Sequence, residues 1–536
     1  MNKYIKCALG ALMVVSAVGC DDFLDVVPDN RTEINTVDKM GKLIADAYPL
    51  SCYAGFLNSR VDYVSDKGVG YTENSSNTEQ FFWRDITETS QDTPTHYWRA
   101  CYYSIAEVNH ALEAAEKMGY SSAQDVYVGE GKVIRAYAHF MLVNLFSKFY
   151  EKDGANSSMG VPYVTEPEKV ALQSYDRRTV QETYESIEKD LVEGLELLGP
   201  DNTYQAPKFH FNKAAAQAFA TRFYLFKGDW NKVIEHANVI IPTASDFVKN
   251  TKQEIINVSA NDAATTYAKN NFQPWLTTFA SAAGSTQIKQ GFSSSDNAAN
   301  LLLVDAPSRV ANRVNSWRYA TLYNDVYSTM QGANVTGGTW AYRIYSSSSY
   351  HYYVPKFETK FVTTEINASS GVYYTQFPLF RTEEILLNRA EAYAMTDQYD
   401  KAIADLNIFC RQRIKSYDEV NHGITEDKLL DFYKGAYGNE EHFLNKYNAY
   451  GATSWSDLKK SLIMCILEFR RNEFMWEGLR YFDLIRYKIP VTHKDYNGNT
   501  NTLYPGDDRW VFQIPETSVL AGMELNPRTN LLSNEW

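Results

Sequence analysis

The chain has 536 residues, 44% of them hydrophobic, and a formal net charge of −13. That length allows two to four ordinary domains or one large helical assembly, and the apolar content suffices for a packed core. The acidic balance argues against nucleic acid as a partner, because such binding rests on basic patches.

The chain opens MNKYIK, and the apolar run CALGALMVVSAVG follows at 7–19. A bilayer span needs roughly 20 apolar residues, so this run is too short to cross one. A basic start, a short apolar stretch and the small residues Ala17 and Gly19 form a secretory signal. The next residue is Cys20, and a signal cut just before a cysteine is the lipoprotein pattern: the cysteine is acylated and becomes the new N-terminus. Ala17 stands where that pattern more usually has Leu. Losing a 1–19 leader with Lys3 and Lys6 takes the net charge from −13 to −15. Residues 20–36 read as a lipidated polar tether.

Helical spacing runs from Val37 to Tyr53. Residues 54–94 then read as an irregular loop rich in Gly, Ser, Asn and Asp, and a loop this long in a compact body is usually functional or disordered. Its aromatics Tyr63, Tyr71, Phe81, Phe82 and Trp83 argue against simple disorder. Further helices are predicted over 97–117, 130–149 and 177–198. FATRFYLFKGDWNKVIEHANVI (219–240) and NRAEAYAMTDQYDKAIADLNIF (388–409) match at a constant offset of 169. Each reads as helix, tight turn, helix in the tetratricopeptide style. Stacked helix pairs need at least three units, and 97–149 and 455–487 supply candidates. Residues 246–380 differ: Ser/Ala/Asn-rich loops and short strands form an irregular insert between the helical regions 37–245 and 381–536.

No HExxH, GxSxG, Walker A or GxGxxG motif is present, and the nine histidines are scattered. Cys52, Cys101, Cys410 and Cys465 show no CxxC spacing, so they are paired or buried thiols rather than a metal site. No cofactor is implied. DYNGNTN (495–501) has calcium-loop composition but lacks Gly at the sixth place and Glu at the twelfth, and Asn497-Gly498 reads as a hairpin turn. The doublets Glu383-Glu384 and Asp507-Asp508 point to no partner. Glu473 and Glu477, with Arg480 and Asp483, have the spacing of a charged ladder on one helix.

Six segments in order carry a resemblance: CDDFLDVVP (20–28), WRACYYSIAEVNHAL (98–112), EGKVIRAYAHFMLVNLFSKF (130–149), residues 211–240, FPLFRTEEILLNRAEAYA (377–394) and EFMWEGLRYFDLIRYK (473–488). Together they resemble the SusD/RagB family of nutrient-binding lipoproteins from Bacteroidetes. Two departures stand out. Phe469 precedes Arg470 where the family has an acid, and EKDGANSSM is inserted between Phe146 and Pro162. The resemblance implies a mainly α fold, a scaffold of tetratricopeptide-like helix pairs carrying an irregular, loop-rich half. It also implies a non-catalytic protein, lipid-anchored through Cys20 on the outer face of the outer membrane. Its acidic residues after Cys20 resemble an export tag, and its partners would be a glycan and a SusC-like TonB-dependent transporter. Peptide binding, a low-affinity gating lid and an exported glycoside hydrolase are the alternatives, since glycosidase carboxylates leave no short motif.

A sugar offers CH faces for flat aromatics and hydroxyls for Asp, Asn, Arg or Gln. The residues expected to bind it are Asp62, Asp66, Trp83 and Arg84 in the first loop and Trp275, Trp317, Arg318, Tyr345 and Tyr350 in the insert. Trp83 and Trp317/Arg318 would flank the ligand, and Asp62 and Asp66 would bond its hydroxyls. Each aromatic has packing against the scaffold as its alternative role.

Overall fold

The computed structural model describes residues 33–169, 173–200, 203–241 and 289–532, with breaks at 290, 314–316, 320–321, 324–331, 341, 343, 349–350, 355, 364 and 366–367. The leader, Cys20, Trp275 and Tyr350 lie outside the described residues. Helices dominate: α1 (Val37–Asp46), α2 (Ser75–Phe81), α3 (Pro94–Lys117), α4 (Asp125–Phe146), α5 (Val180–Leu197), α6 (Lys213–Lys227), α7 (Trp230–Ile240), α8 (Thr382–Met395), α9 (Tyr399–Arg413), α10 (Glu426–Tyr437), α11 (Asp457–Glu473) and α12 (Leu479–Arg486). Most start where a side chain can accept one of the amides that a first turn leaves unpaired. Thr36, Thr93, Asn212, Thr425 and Ser456 each accept from the amide three residues on. Thr179 and Glu182 close a reciprocal capping box at α5.

The two matching segments are indeed helix pairs. α6 and α7 turn at Gly228 (φ 77°), and α8 and α9 turn at Asp397 (φ 60°), each in the left-handed conformation that Gly adopts freely and Asp tolerates. α8 packs on both α6 and α7, so the pairs stack, and α3–α4–α5 and α10–α11 extend the array. The fold is the mainly α, tetratricopeptide-like one expected.

α8 is buried on every side, and its polar residues are all matched across helix boundaries. Glu384 pairs with Arg222 at 2.6 Å, Arg389 with Asp405 at 2.7 Å and Glu391 with Arg486 at 2.6 Å. Arg470 donates to Asn388 at 2.6 Å, and Glu383 meets Arg413 at 2.9 Å. The Glu383-Glu384 doublet therefore has partners that its local sequence does not reveal. A buried charge is tolerated when it is paired and hydrogen-bonded, and these bidentate contacts meet that condition.

The Glu473–Asp483 segment departs from the expected intrahelical ladder. α11 stops at Glu473, and left-handed Trp476 (φ 68°) and Gly478 (φ 80°) turn the chain before α12. Glu473 accepts from Arg413 at 2.8 Å and Arg381 at 3.1 Å, while Glu477 takes Lys356 at 2.6 Å and Arg381 at 2.9 Å. Asp483 pairs with Arg470 and Arg486, both at 2.9 Å. The motif is a tertiary lock. Burial opposes ionisation of Glu473, but the guanidiniums of Arg413 and Arg381 outweigh it and hold its carboxyl well below the usual range.

The described part of the insert forms two antiparallel sheets. One has the order β1 (Asn300–Pro307), β6 (Gly371–Arg381), β5 (Glu358–Thr363); the other places β4 (His351–Tyr353) between β2 (Leu322–Tyr323) and β3 (Tyr345–Ser348). β6 runs directly into α8, which joins the sheet to the scaffold. DYNGNTN forms the hairpin between β7 (Val491–Lys494) and β8 (Thr500–Leu503), with Gly498 at φ 90°. Cys52, Cys101, Cys410 and Cys465 are free and buried.

The 54–94 segment is not a loose loop. It contains a helical turn at Ala54–Leu57 and the helix α2, and much of it is core. Asn58 donates to the Trp476 carbonyl at 2.8 Å, Tyr63 donates to Asn58, and Trp476 donates its amide to the Tyr63 hydroxyl. The segment is thereby wedged against the last third of the chain.

Candidate ligand-binding shelf

Three distant stretches meet at one surface: 62–84, 317–319 and the β7–β8 hairpin. Thr72 bridges to Trp317, the Arg318 amide donates to the Thr72 carbonyl, and Lys67 donates to the Arg318 carbonyl. Asp66 is the clasp. Its Oδ1 accepts from Arg318 Nε at 2.6 Å and the Gly68 amide at 2.8 Å, and its Oδ2 from Arg318 and the Tyr496 amide, both at 3.0 Å. A carboxylate offers about four acceptor positions, so Asp66 has none left for a ligand hydroxyl. Its role is to orient Arg318 and the hairpin, a correction to the expectation that it bonds sugar.

Asp62 is held by a single arginine. It forms a two-point pair with Arg480, at 2.7 and 3.0 Å. Burial would raise its pKa, but Arg480 outweighs this and keeps it ionised below the ordinary Asp value.

Trp83 is core, not a stacking platform. Its backbone is left-handed (φ 54°), and only 1% of the residue is exposed. The indole stacks on His493 at 4.6 Å; Phe81 stacks on the other side of that imidazole at 4.4 Å and on Tyr319 at 4.5 Å. Each ring nitrogen of His493 faces a backbone carbonyl, Nδ1 that of Phe81 at 2.7 Å and Nε2 that of Val61 at 2.9 Å; burial pushes its pKa down to about 4, so the neutral ring donates to one of the two. Trp317 is also buried. Both tryptophans are core in this arrangement, and the Trp83 ring packs the wedge against the hairpin through His493. Tyr345 is described as the first residue of β3.

Cations and rings alternate beside this column, and of them Tyr319 and Lys67 are themselves buried. Arg84 lies over Phe82 at 4.9 Å, Phe82 meets Tyr319 edge-on at 5.6 Å, and Arg318 lies over Tyr319 at 5.0 Å. Arg318 reaches Glu73 beyond, and Lys67 sits over the half-buried Tyr71 ring at 4.5 Å. Burial lowers the Lys67 pKa to about 8. Tyr496, 62% exposed, lies against Gly68, whose φ is 86° and where any Cβ would collide with the ring. Arg84 and Arg318, named from the sequence, thus share one surface. Sequence reasoning does not single out Glu73 or Tyr496; the exposed tyrosine beside the Asn497-Gly498 turn is the one signal that points to the latter.

The match to family models follows this geometry. Residues 22–225 match a SusD-like family described as starch-binding and associating with the outer membrane, and residues 260–518 match the SusD family model. The chain belongs to the SusD/RagB family. This is a family of carbohydrate-binding proteins associated with the outer membrane. Solved structures share the fold. A SusD-like carbohydrate binding protein from Bacteroides vulgatus is 16% identical, with a TM-score of 0.60 over 93% of this chain and 98% of the other. A SusD superfamily protein from Bacteroides thetaiotaomicron is 16% identical, with a TM-score of 0.59 over 92% and 100%. A laminarin binding SusD-like protein is 17% identical, with a TM-score of 0.57 over 92% and 98%. No curated protein matches the sequence. Among the described residues, no helix is long and apolar enough to cross a membrane, and no group of His, Cys, Asp and Glu could hold a metal ion.

Proposed function

We propose that this SusD-family protein is anchored by lipid at Cys20 on the outer face of the outer membrane. There it captures an oligosaccharide or polysaccharide at the shelf and passes it to a SusC-like TonB-dependent transporter for import. The family match across both halves of the chain carries the reading. The shelf supports it chemically. Tyr496 and Tyr71 offer amphipathic rings to sugar CH faces. Arg318 has five N–H donors and spends three on Asp66 and Glu73, which leaves two for hydroxyls.

Affinity electrophoresis in gels containing laminarin, starch, xylan or mannan tests it. At least one polysaccharide should retard the protein, and Arg318→Ala should weaken that retardation tenfold or more, as the loss of a charged hydrogen bond of about 1.5–3 kcal/mol requires. Unchanged retardation in Arg318→Ala would remove the shelf from the reading. The transporter half is tested by co-purification from solubilised outer membranes. Burial of both Trp83 and Trp317 favours a second reading, a gating lid with little glycan affinity. A protein that co-purifies with the transporter yet is retarded by none of these polysaccharides would be that lid.

A further inference from the structure

A cavity of about 1160 Å³ opens elsewhere on the molecule and shares no lining residue with the shelf. Its walls are the 148–158 segment after α4, the start of α7, residues 447–455, the end of α12 and residues 505–511. The first wall contains the insertion that sets this chain apart from the family pattern. That insertion is built rather than loose. Asn156 accepts from the Glu151 amide at 2.8 Å and donates to the Glu151 and Gly154 carbonyls, both at 3.0 Å. Lys152 lays its stem against Gly228 and its ammonium 5.9 Å from the Trp230 ring.

Backbone strain gathers on the same walls. Asp153, Asn156, Asn448, Tyr450 and Lys488 all line the cavity with φ between 47° and 62°. Asp and Asn tolerate this conformation, but Tyr and Lys adopt it at a cost and only where the surroundings hold them. The result at Tyr450 is a ring presented edge-on to Trp230 at 5.4 Å and to Tyr487 at 5.4 Å. At Lys488 the result is an ammonium set 3.0 Å from Glu151 across the mouth. Trp455 and Tyr447 are half-buried on the same cavity.

We propose that this cavity is a second carbohydrate site that takes an uncharged oligosaccharide, an inference that rests on the glycan-binding reading above. Its volume slightly exceeds that of pockets for drug-sized ligands, about 300–1,000 Å³, which suits a ligand of several sugar rings. Aromatic walls give CH faces a surface, and the charges around them are largely matched within the protein. Lys488 holds Glu151, Lys459 holds Asp397, and Asp507 holds Arg509. Paired charges still bond hydroxyls at their remaining positions but give a charged ligand no net attraction. A polymer held at the shelf and a shorter fragment held here would be two separate binding events.

Calorimetric titration of the full chain with maltohexaose, laminarihexaose, xylohexaose and mannohexaose tests this. Two components are expected for at least one sugar. Trp455→Ala should weaken one of them at least tenfold with an unchanged melting temperature, and Tyr496→Ala should weaken only the other. Lys152→Glu, on the exposed side of the insertion, gives an independent loss of the same component if Trp455→Ala disturbs packing. Binding that is lost in Tyr496→Ala but unaltered in both cavity variants overturns the second site and leaves the shelf standing. Binding lost in the cavity variants alone supports the cavity and overturns the shelf. No binding of any of the four sugars by the wild-type chain overturns both.

Discussion

The Arg381 cluster and the Arg318 cluster use the same chemistry in opposite settings. Arg381 bridges Glu473, Glu477 and Glu383 with its side chain 1% exposed, while Arg318 bridges Asp66 and Glu73 with 16% of its side chain exposed and Glu73 59% exposed. In the first cluster no water can replace a lost partner. In the second, water reaches one end, and donors remain for a ligand. The first therefore decides whether the insert, α8 and α11 hold together, and the second decides what the surface can bind.

The sharpest way to break that contrast is Arg381→Ala. It leaves Glu473 and Glu477 short of a buried counter-charge, and removing one member of such a pair costs about 3–5 kcal/mol. Denaturant unfolding should show a loss of that size, and a loss under 1 kcal/mol would mean that the network is not what locks the last motif. Asp92 comes next. It is buried, accepts from the Arg309 amide and from Ser308, and burial pushes its pKa up to about 6 from 3.8. Its contribution to stability is therefore full below about pH 3.8 and is lost as pH rises through about 6. Asp62 behaves in reverse: its contribution is present above pH 3.8 and is lost as pH falls through its lowered folded value. Unfolding curves of Asp92→Asn and wild type should accordingly diverge by about 2–3 kcal/mol between pH 4 and pH 7. Parallel curves would exclude Asp92 as the cause.

At the shelf the effects shrink in stability and grow in affinity. Gly68→Ala places a Cβ against Tyr496 at a left-handed position, which costs about 1–2 kcal/mol and should lower glycan affinity by moving the ring. Tyr496→Ala should change stability by less than about 0.5 kcal/mol and still cost affinity several-fold, read by the same gel retardation. Equal affinity in both variants and wild type would show that the hairpin takes no part in binding.

The scaffold was legible because it is written locally. Helix periodicity and the paired segments 219–240 and 388–409 lie within a few residues of the structure they specify. Helix edges moved by a few residues, and the 54–94 segment proved to be a packed wedge, since its partners Trp476, Arg480 and Arg509 lie some four hundred residues away. The shelf was half legible. Arg84 and Arg318 lie where sequence chemistry points, but Trp83 and Trp317 have the same composition whether they face solvent or core. For Trp83, a left-handed backbone and the His493 imidazole decided. By itself, then, the sequence determined the stacked helix pairs and the family. Tertiary structure decided which acids are spent on arginines, which rings remain outside, and that an inserted loop walls a cavity. Helices depend on neighbours three and four residues away, whereas a carboxylate's availability depends on every donor that the folded chain brings to it.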